Sequence, residues 1–536
     1  MVITPNSRIK LIKNPLKLDS NNEIMFESKI AQYNYFNSLP KVEFENLTYV
    51  RKEGVLRVET NNNLTYEDLL GYNFCMYQNT HFDEKWFYSY ITDITWINPS
   101  LTEIKLETAY FQTWQFDLEY MDSYIEREHV DDDTIGLHTL PENLELGDYV
   151  QAFNPEDFYA FNNFYMCIAL TELPPAFQYT NTNRVYNGIY SGLNYLIFND
   201  PVELSDFIRA CDESGKADVI SSLFMIPTEF NPNPTWIQGT MAGYSFIFSY
   251  ITNSNTATIL RSSISVARAE RLAYVYYPTN NKLLTYPFSY MNITNNCGTD
   301  IIFRYEDFKD VQPLFKIIGA LTPGCSIKAF PLNYKRAYDN NTDYSFNFGI
   351  SAGKFPICSW NSDVYTNWLT LNGVNMDVSQ LMGEIGIISS GISAMETGNF
   401  GGMIGGAEKV ADTMYQRFQH SMIPNQARGN INSGDVIFSS GNLKFTAYHM
   451  SIKKENAQII DSYFNMFGYK VNRLGKPHLH VRTYYDYIKT IDVNIEGNIP
   501  EKDLEEIRKL FNNGIRFWHD TSKYLDFSVN NSIITP

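Results

Sequence analysis

KWFYSYITDITWI, Lys85 to Ile97, sets aromatic and β-branched residues side by side and runs straight into Asn98-Pro99-Ser100. The composition predicts a strand, and the Asn-Pro-Ser triplet predicts that the chain turns back on itself there. Its neighbours agree. GVLRVET (Gly54–Thr60) and EIKLETAYF (Glu103–Phe111) both alternate apolar and polar residues at period two, the signature of strands with two unlike faces. Residues 50–125 therefore read as antiparallel β structure.

The bulk of the chain points the same way. Of 536 residues, 15% are aromatic, with 38 Tyr and 36 Phe, against 19% charged. Tyr and Phe favour strands and large interfaces, and the length asks for two to four domains. The formal charge of −18, from 42 basic and 60 acidic residues, argues against a protein that grips duplex DNA by neutralising phosphates. Ordinary solubility is the simpler account of that charge; a conduit whose wall repels DNA is the functional one. Cys75, Cys167, Cys211, Cys297, Cys325 and Cys358 are far apart and form no CxxC, so free thiols made in a reducing cytoplasm are expected. The opening MVITPNSRIKLIKNPLKLD lacks the apolar run of a secretory signal, and no window offers a constitutive transmembrane span.

Further along, EREHVDDD (Glu126–Asp133) reads as a polar break and a domain boundary. VELSDFIRACDESGKADVISSLFMI (Val202–Ile226) reads as a helix inside a middle region of mixed α and β character, with Pro and Asn clusters near 232–234 and 339–342 marking loops. ENAQIIDSYFNMFGYKVNR places Ile459, Tyr463 and Phe467 at helical spacing next to Ile460 and Phe464, with Gly468 as a stop. HLHVRTYYDYIKTIDVNIEG (His478–Gly497) reads as strand. PEKDLEEIRKLFNNG (Pro500–Gly514) reads as a helix with a Leu504, Ile507 and Phe511 stripe that Gly514 ends.

Enzyme chemistry finds no foothold. Among His81, His129, His138, His420, His449, His478, His480 and His519 the close pair is His478 and His480, which on a strand would share a face. No third ligand accompanies them in the sequence, so a surface or interface pair is the stronger reading and no metal or cofactor is expected. HExxH, GxSxG, Walker A and dinucleotide-binding patterns are missing, and no carboxylate pair or cysteine is singled out as catalytic. The expectation is a protein that is not an enzyme.

One stretch stands apart. SQLMGEIGIISSGISAMETGNFGGMIGGAEKVADTMYQRFQ (Ser379–Gln419) is rich in Gly, Ile and Met. At helical spacing Leu381, Ile385, Ile388, Ile392 and Met395 form one apolar line, backed by the small residues Gly386, Ser390 and Ala394. Ile404, Ala407, Ala411, Met414, Phe418 and Met422 form a second line, opposite Glu408, Lys409, Asp412, Gln416 and Arg417. Met382, Ile387, Phe400 and Met403 add apolar surface, and Gly398, Gly401, Gly402, Gly405 and Gly406 supply the turn and hinge. Each arm is about 20 residues, the length that crosses a bilayer as helix. Glu384 and Glu396 are the acids of the first arm; protonating them would ease insertion, so mild acid is expected to promote it. A helical hairpin buried in an oligomer core is the competing reading, against which the glycine content weighs.

Several stretches resemble the distal tail knob family of short-tailed phages of the phi-twenty-nine type. They are QYNYFNSLPK (Gln32–Lys41), MYQNTHFDEKWFYSYITDITWI (Met76–Ile97), FQTWQFDLEYMDSYIEREHV (Phe111–Val130), FGYKVNRLGKPHLHVRTYYDYIKT (Phe467–Thr490) and DLEEIRKLFNNGIRFWH (Asp503–His519). The resemblance implies an α+β, β-rich, multidomain subunit that forms a homohexameric tube at the virion's tail tip. It implies partners in the proximal tail or collar and in a wall-degrading tip protein, and double-stranded DNA passing non-specifically through the lumen. It also implies a long hydrophobic loop, helical or disordered, that plugs the channel and later penetrates the lipids of the host cytoplasmic membrane. Leu381–Pro424 is its counterpart here by character and position. The expected organisation is residues 1–130 as a β-rich tube domain, 131–370 as an α+β middle region of one or two subdomains, 381–424 as the membrane-active loop, and 430–536 as a tube-completing β/α segment. The rival readings are a receptor- or wall-binding tail protein without pore activity and a wall-degrading enzyme.

Overall fold

A computed structural model describes residues 7–47, 54–61, 63–79, 85–160, 163–173, 185–186, 189–190, 193–251, 258–268, 270–309, 312–320, 326–332, 334–335, 349–352, 357–359 and 444–534. The chain is β-rich with a minority of helix and divides into two units. One comprises Met1–Gly147, Pro278–Leu283 and Lys454–Pro536; the other comprises Asp148–Tyr277 and Leu284–Lys453. The two ends of the sequence thus build one unit together.

In that first unit six antiparallel strands follow the order Lys41–Leu47, Ser7–Ile12, Phe74–Asn79, Trp86–Asn98, Leu101–Thr108 and Val55–Glu59. Asn98 pairs with Leu101, so the hairpin closes at the Asn-Pro-Ser turn. Both faces of the central strands are covered, and this explains an aromatic run without alternation. Phe87 and Tyr77 enter a core shared with Phe111, Leu504, Ile507 and Phe511. Tyr88, Phe74 and Met76 point the other way and meet Phe36 of the helix Lys29–Ser38. Phe36 stacks on Phe74 at 4.7 Å. Burying such side chains is worth roughly 1.5–3 kcal/mol each, so this two-sided packing holds the sheet.

The unit's second sheet runs Asn22–Ile24, Ile515–Trp518, Tyr485–Asp492, Ser123–Glu128 and Tyr469–Gly475. Here the expected polar break at Glu126–Asp133 begins as the end of the strand Ser123–Glu128, in which Arg127 and Glu128 are buried, and His129 just beyond it is buried too. Their charges are matched. Arg127 pairs with Glu142 and donates to the Gly468 carbonyl, and Glu128 accepts from Arg473. The strand expected over His478–Gly497 begins only at Tyr485, because Asp486 and Asn531 side chains take the N–H groups of Val481, Arg482 and Tyr484 and hold them in a loop. The helix Lys454–Phe467 forms as expected but buries Ala457, Ile460 and Phe464, while Ile459 is 69% exposed. It stops at Gly468, whose φ is +61° and where a Cβ would lie 2.1 Å from the Glu128 carbonyl oxygen; glycine is required. The helix Glu501–Asn513 buries Leu504, Ile507 and Phe511 and ends at Gly514, as its stripe predicts.

Among the described residues the second unit holds three larger sheets and a two-stranded hairpin, Val185–Tyr186 with Ile189–Tyr190. One centres on Lys444–Ile452, flanked by Tyr149–Gln151 and Glu156–Ala160 on one side and by Ser289–Thr294 then Asp300–Phe303 on the other. Another runs Ile237–Met241, Tyr244–Tyr250, Asn194–Phe198, Phe164–Leu170, Ile220–Pro227 and Ile357–Ser359, and the third runs Thr258–Ser265, Leu314–Ala320, Ser326–Leu332 and Ile350–Ser351. All three contribute to one core, in which Phe224, Phe315 and Phe445 take part. The long helix expected over Val202–Ile226 is instead a helix, Pro201–Glu213, and a strand, Ile220–Pro227. Gly215 at φ +64° breaks them apart, and the apolar ISSLFMIP run is then buried throughout except for a partly exposed Ser221.

Candidate functional site

The membrane-insertion set from Leu381 to Phe418, the glycines at 398, 401, 402, 405 and 406, and the acids Glu384 and Glu396 all fall outside the described residues. What the structure places are the nearest described strands before and after that segment in sequence, Ile357–Ser359 (the departing strand) and Lys444–Ile452 (the returning strand). They differ in how firmly they are held.

The departing strand has three described residues and, among the described residues, lies at the edge of its sheet, pairing Ser359 with Ser222, Cys358 with Leu223 and Ile357 with Phe224. The returning strand has nine residues and is central in its sheet, with partners on both sides. Its first residues are pinned by polar side chains. Lys444 Nζ lies 2.6 Å from Asp157 Oδ2, and Thr446 Oγ1 donates to Asp157 Oδ1 at 2.7 Å. Asn296 Nδ2 donates to the Lys444 carbonyl at 3.2 Å and to Thr446 Oγ1 at 3.0 Å. Phe445 and Ala447 alternate with these groups and are fully buried, in the core that also holds Phe224 of the departing strand's partner. A three-residue edge strand with one partner opens at far lower cost than a central strand so anchored. The KFTAYHMSI pattern carries the period-two signal of the returning strand, whereas Asp157 and Asn296 carry no local mark of their role.

Two residues beyond Ala447 sits His449, fully buried, its ring stacked on Phe153 at 4.1 Å between centroids. Tyr305 Oη lies 2.6 Å from Nδ1, and Glu156 Oε2 lies 3.9 Å from Nε2. Burial pushes its pKa down to about 4, so the ring is neutral at pH 7. His129 in the first unit is held down to about 4 chiefly by burial too. Glu23 is the reverse case: burial raises its pKa to about 8 against the hydrogen bonds from Tyr90 and Gln112.

The histidine pair read from the sequence separates. His478 turns toward Glu128, its Nδ1 3.8 Å from Oε1, while His480 lies in edge-to-face contact with His519 at 4.2 Å. Among the described residues no helix is long and apolar enough to cross a membrane.

Comparison with known proteins gives matches over both units. Residues 247–532 match the family model of the C-terminal domain of Bacillus phage phi29 tail knob protein gp9, and residues 5–119 match that of the caudoviral major tail protein N-terminus. The chain is 24% identical to tail knob protein gp9 of Bacillus phage phi29, over 97% of both chains. It is 23% identical to tail knob protein gp9 of Bacillus phage B103, over 98% of both. The structure aligns with the tail knob protein gp12 of bacteriophage C1 at a TM-score of 0.65 and 15% identity, covering 98% of this chain and all of that one.

Proposed function

This chain belongs to the tail knob family represented by Bacillus phage phi29 gp9, and on that premise we propose that it is the distal conduit of a phage tail, a homohexameric tube whose hydrophobic segments plug the channel and then penetrate the host cytoplasmic membrane. As a member of that family it is a structural component of the virion tail. The observation that carries the finer reading is the placement of Leu381–Pro424. A glycine-rich apolar segment lies, in sequence, between a short edge strand and a pinned central strand of one unit. Apolar sequence of this kind is an aggregation hazard when exposed. Storage inside the particle's own lumen removes the hazard, and a weak root on one side allows release. The charge of −18 per copy suits a wall along which DNA slides without sticking.

The test is dye release from liposomes of host lipid, comparing the intact assembly with a variant lacking Leu381–Pro424 that assembles normally. Release that disappears with the segment supports the reading. No release from either, with a native mass far from six chains, overturns it and favours a receptor- or wall-binding tail protein.

A further inference from the structure

We propose that His480, Asp486 and His519 form a binding site for one divalent transition-metal ion, zinc by the chemistry of the set. Their donor atoms all lie within 4.8 Å of one another. Two imidazoles and one carboxylate suit Zn²⁺, which takes such ligands at about 2.0–2.2 Å and leaves remaining positions to water or another group.

The three residues come from two stretches of chain that the fold brings together. Asp486 follows the first residue of the strand Tyr485–Asp492, and His519 follows the last residue of Ile515–Trp518, the strand paired with it. The His519 backbone N–H donates to the Tyr484 carbonyl at 2.8 Å, which fixes where its ring starts. The loop before Tyr485 wraps the carboxylate: Val481 and Arg482 N–H groups donate to Asp486 Oδ2 at 3.0 and 3.3 Å. That wrapping presents His480 from the loop's exposed side. His519 Nε2 lies 2.9 Å from the same oxygen. The His480 and His519 rings meet at 81°, an arrangement in which nitrogens of both can turn toward one point.

A second observation points to a cation. Asp486 is fully buried, and its other oxygen, Oδ1, has no hydrogen-bond partner among the described residues. His129 Nδ1 is 3.8 Å from it but is already the acceptor for the Tyr487 N–H, so that nitrogen brings no proton. A buried carboxylate oxygen left unmatched is a costly arrangement and calls for a partner. A metal ion bound by this carboxylate supplies compensating positive charge. Each ligating imidazole would present a bare nitrogen to the ion. The ion would tie the loop at residues 476–484 to two strands of the first unit's second sheet.

The experiment uses the full chain, stripped of metal with a chelator and titrated with zinc chloride by calorimetry. Cobalt serves as a visible probe of the ligand field. The expected result is saturable binding of one ion per chain, with cobalt absorption diagnostic of nitrogen and oxygen ligands. His480→Ala, at an exposed loop position, should keep the circular dichroism spectrum of the parent and weaken binding by about a hundredfold. His519→Ala should do the same if it folds. Absence of saturable binding, or binding that both His480→Ala and His519→Ala leave unchanged, overturns the proposal.

Discussion

Trp114 Nε1 donates a 2.8 Å hydrogen bond to Asp503 Oδ2, tying the helix Tyr110–Trp114 to the helix Glu501–Asn513 across most of the sequence. Both residues are buried, at 5% exposure each. Removing the acceptor strands a buried indole N–H, which costs about 1–3 kcal/mol. Asp503→Ala should therefore lower the thermal midpoint clearly, and Asp503→Asn, which keeps an acceptor oxygen, should lower it less. Equal midpoints for all three proteins would mean that the bond carries no stability.

Glu142 is the shared anion of two buried cations. Its side chain is 1% exposed, and those of its partners Arg127 and Lys282 are 10% and 2% exposed. Neutralising it takes the shared carboxylate from both buried cations, and breaking a buried pair by removing one partner typically costs about 3–5 kcal/mol. Glu142→Gln is expected to unfold at much lower denaturant than the parent. Adding Lys282→Met should recover part of the loss, which a double-mutant cycle would read directly.

Much of the first unit was legible because its local signals agreed. The hairpin at Asn98-Pro99-Ser100, the helix stop at Gly468 and the Leu504–Ile507–Phe511 stripe each follow from spacing or backbone chemistry within a few residues. The misreadings share a cause, which is that long-range partners override local polarity. Glu126–His129 looked solvated because Glu142, Gly468 and Arg473, which satisfy two of its charges, lie elsewhere in the sequence. Ile459 looked like core because helical spacing alone cannot say which of two adjacent apolar lines faces inward. The hydrophobic segment was legible as composition, but the difference between its two roots was not, since edge or central position is a property of the sheet. His480 stands beside His478 in the sequence, whereas Asp486 and His519 come together with it only through strand pairing.

His449 ties stability to pH. Its pKa falls from 6.5 to about 4 in the folded protein because burial penalises the imidazolium. The unfolded chain therefore binds more protons between those values, so stability is lost as pH falls from about 6.5 to about 4 and is unaffected by this group above that window. Thermal midpoints measured across it should decline less steeply for His449→Gln than for the parent. Parallel curves would show that the ring does not set the slope.

The short root makes a prediction of its own. Ser222 and Ser359 are direct antiparallel partners, and such Cα atoms lie about 4.5–5.5 Å apart, within reach of a disulfide. If the hydrophobic segment leaves by peeling Ile357–Ser359 from its sheet, the oxidised Ser222→Cys/Ser359→Cys protein should release little dye from liposomes. Reduction should restore release to the parental rate. Equal release in both redox states would place the opening elsewhere.

Acid should act through the segment itself. Glu384 and Glu396 are the carboxylates of its first apolar arm, and moving an ionised carboxylate into hydrocarbon costs several kcal/mol more than moving the protonated acid. Liposome leakage is therefore expected to be faster at about pH 5 than at about pH 7.5, since entry into the membrane raises carboxyl pKa values. Replacing both residues by Gln removes the titrating groups and should make release fast at both values. If the parent leaks equally at both, protonation of these acids does not limit entry. If the double variant keeps the parental pH dependence, the sensitivity belongs to other groups.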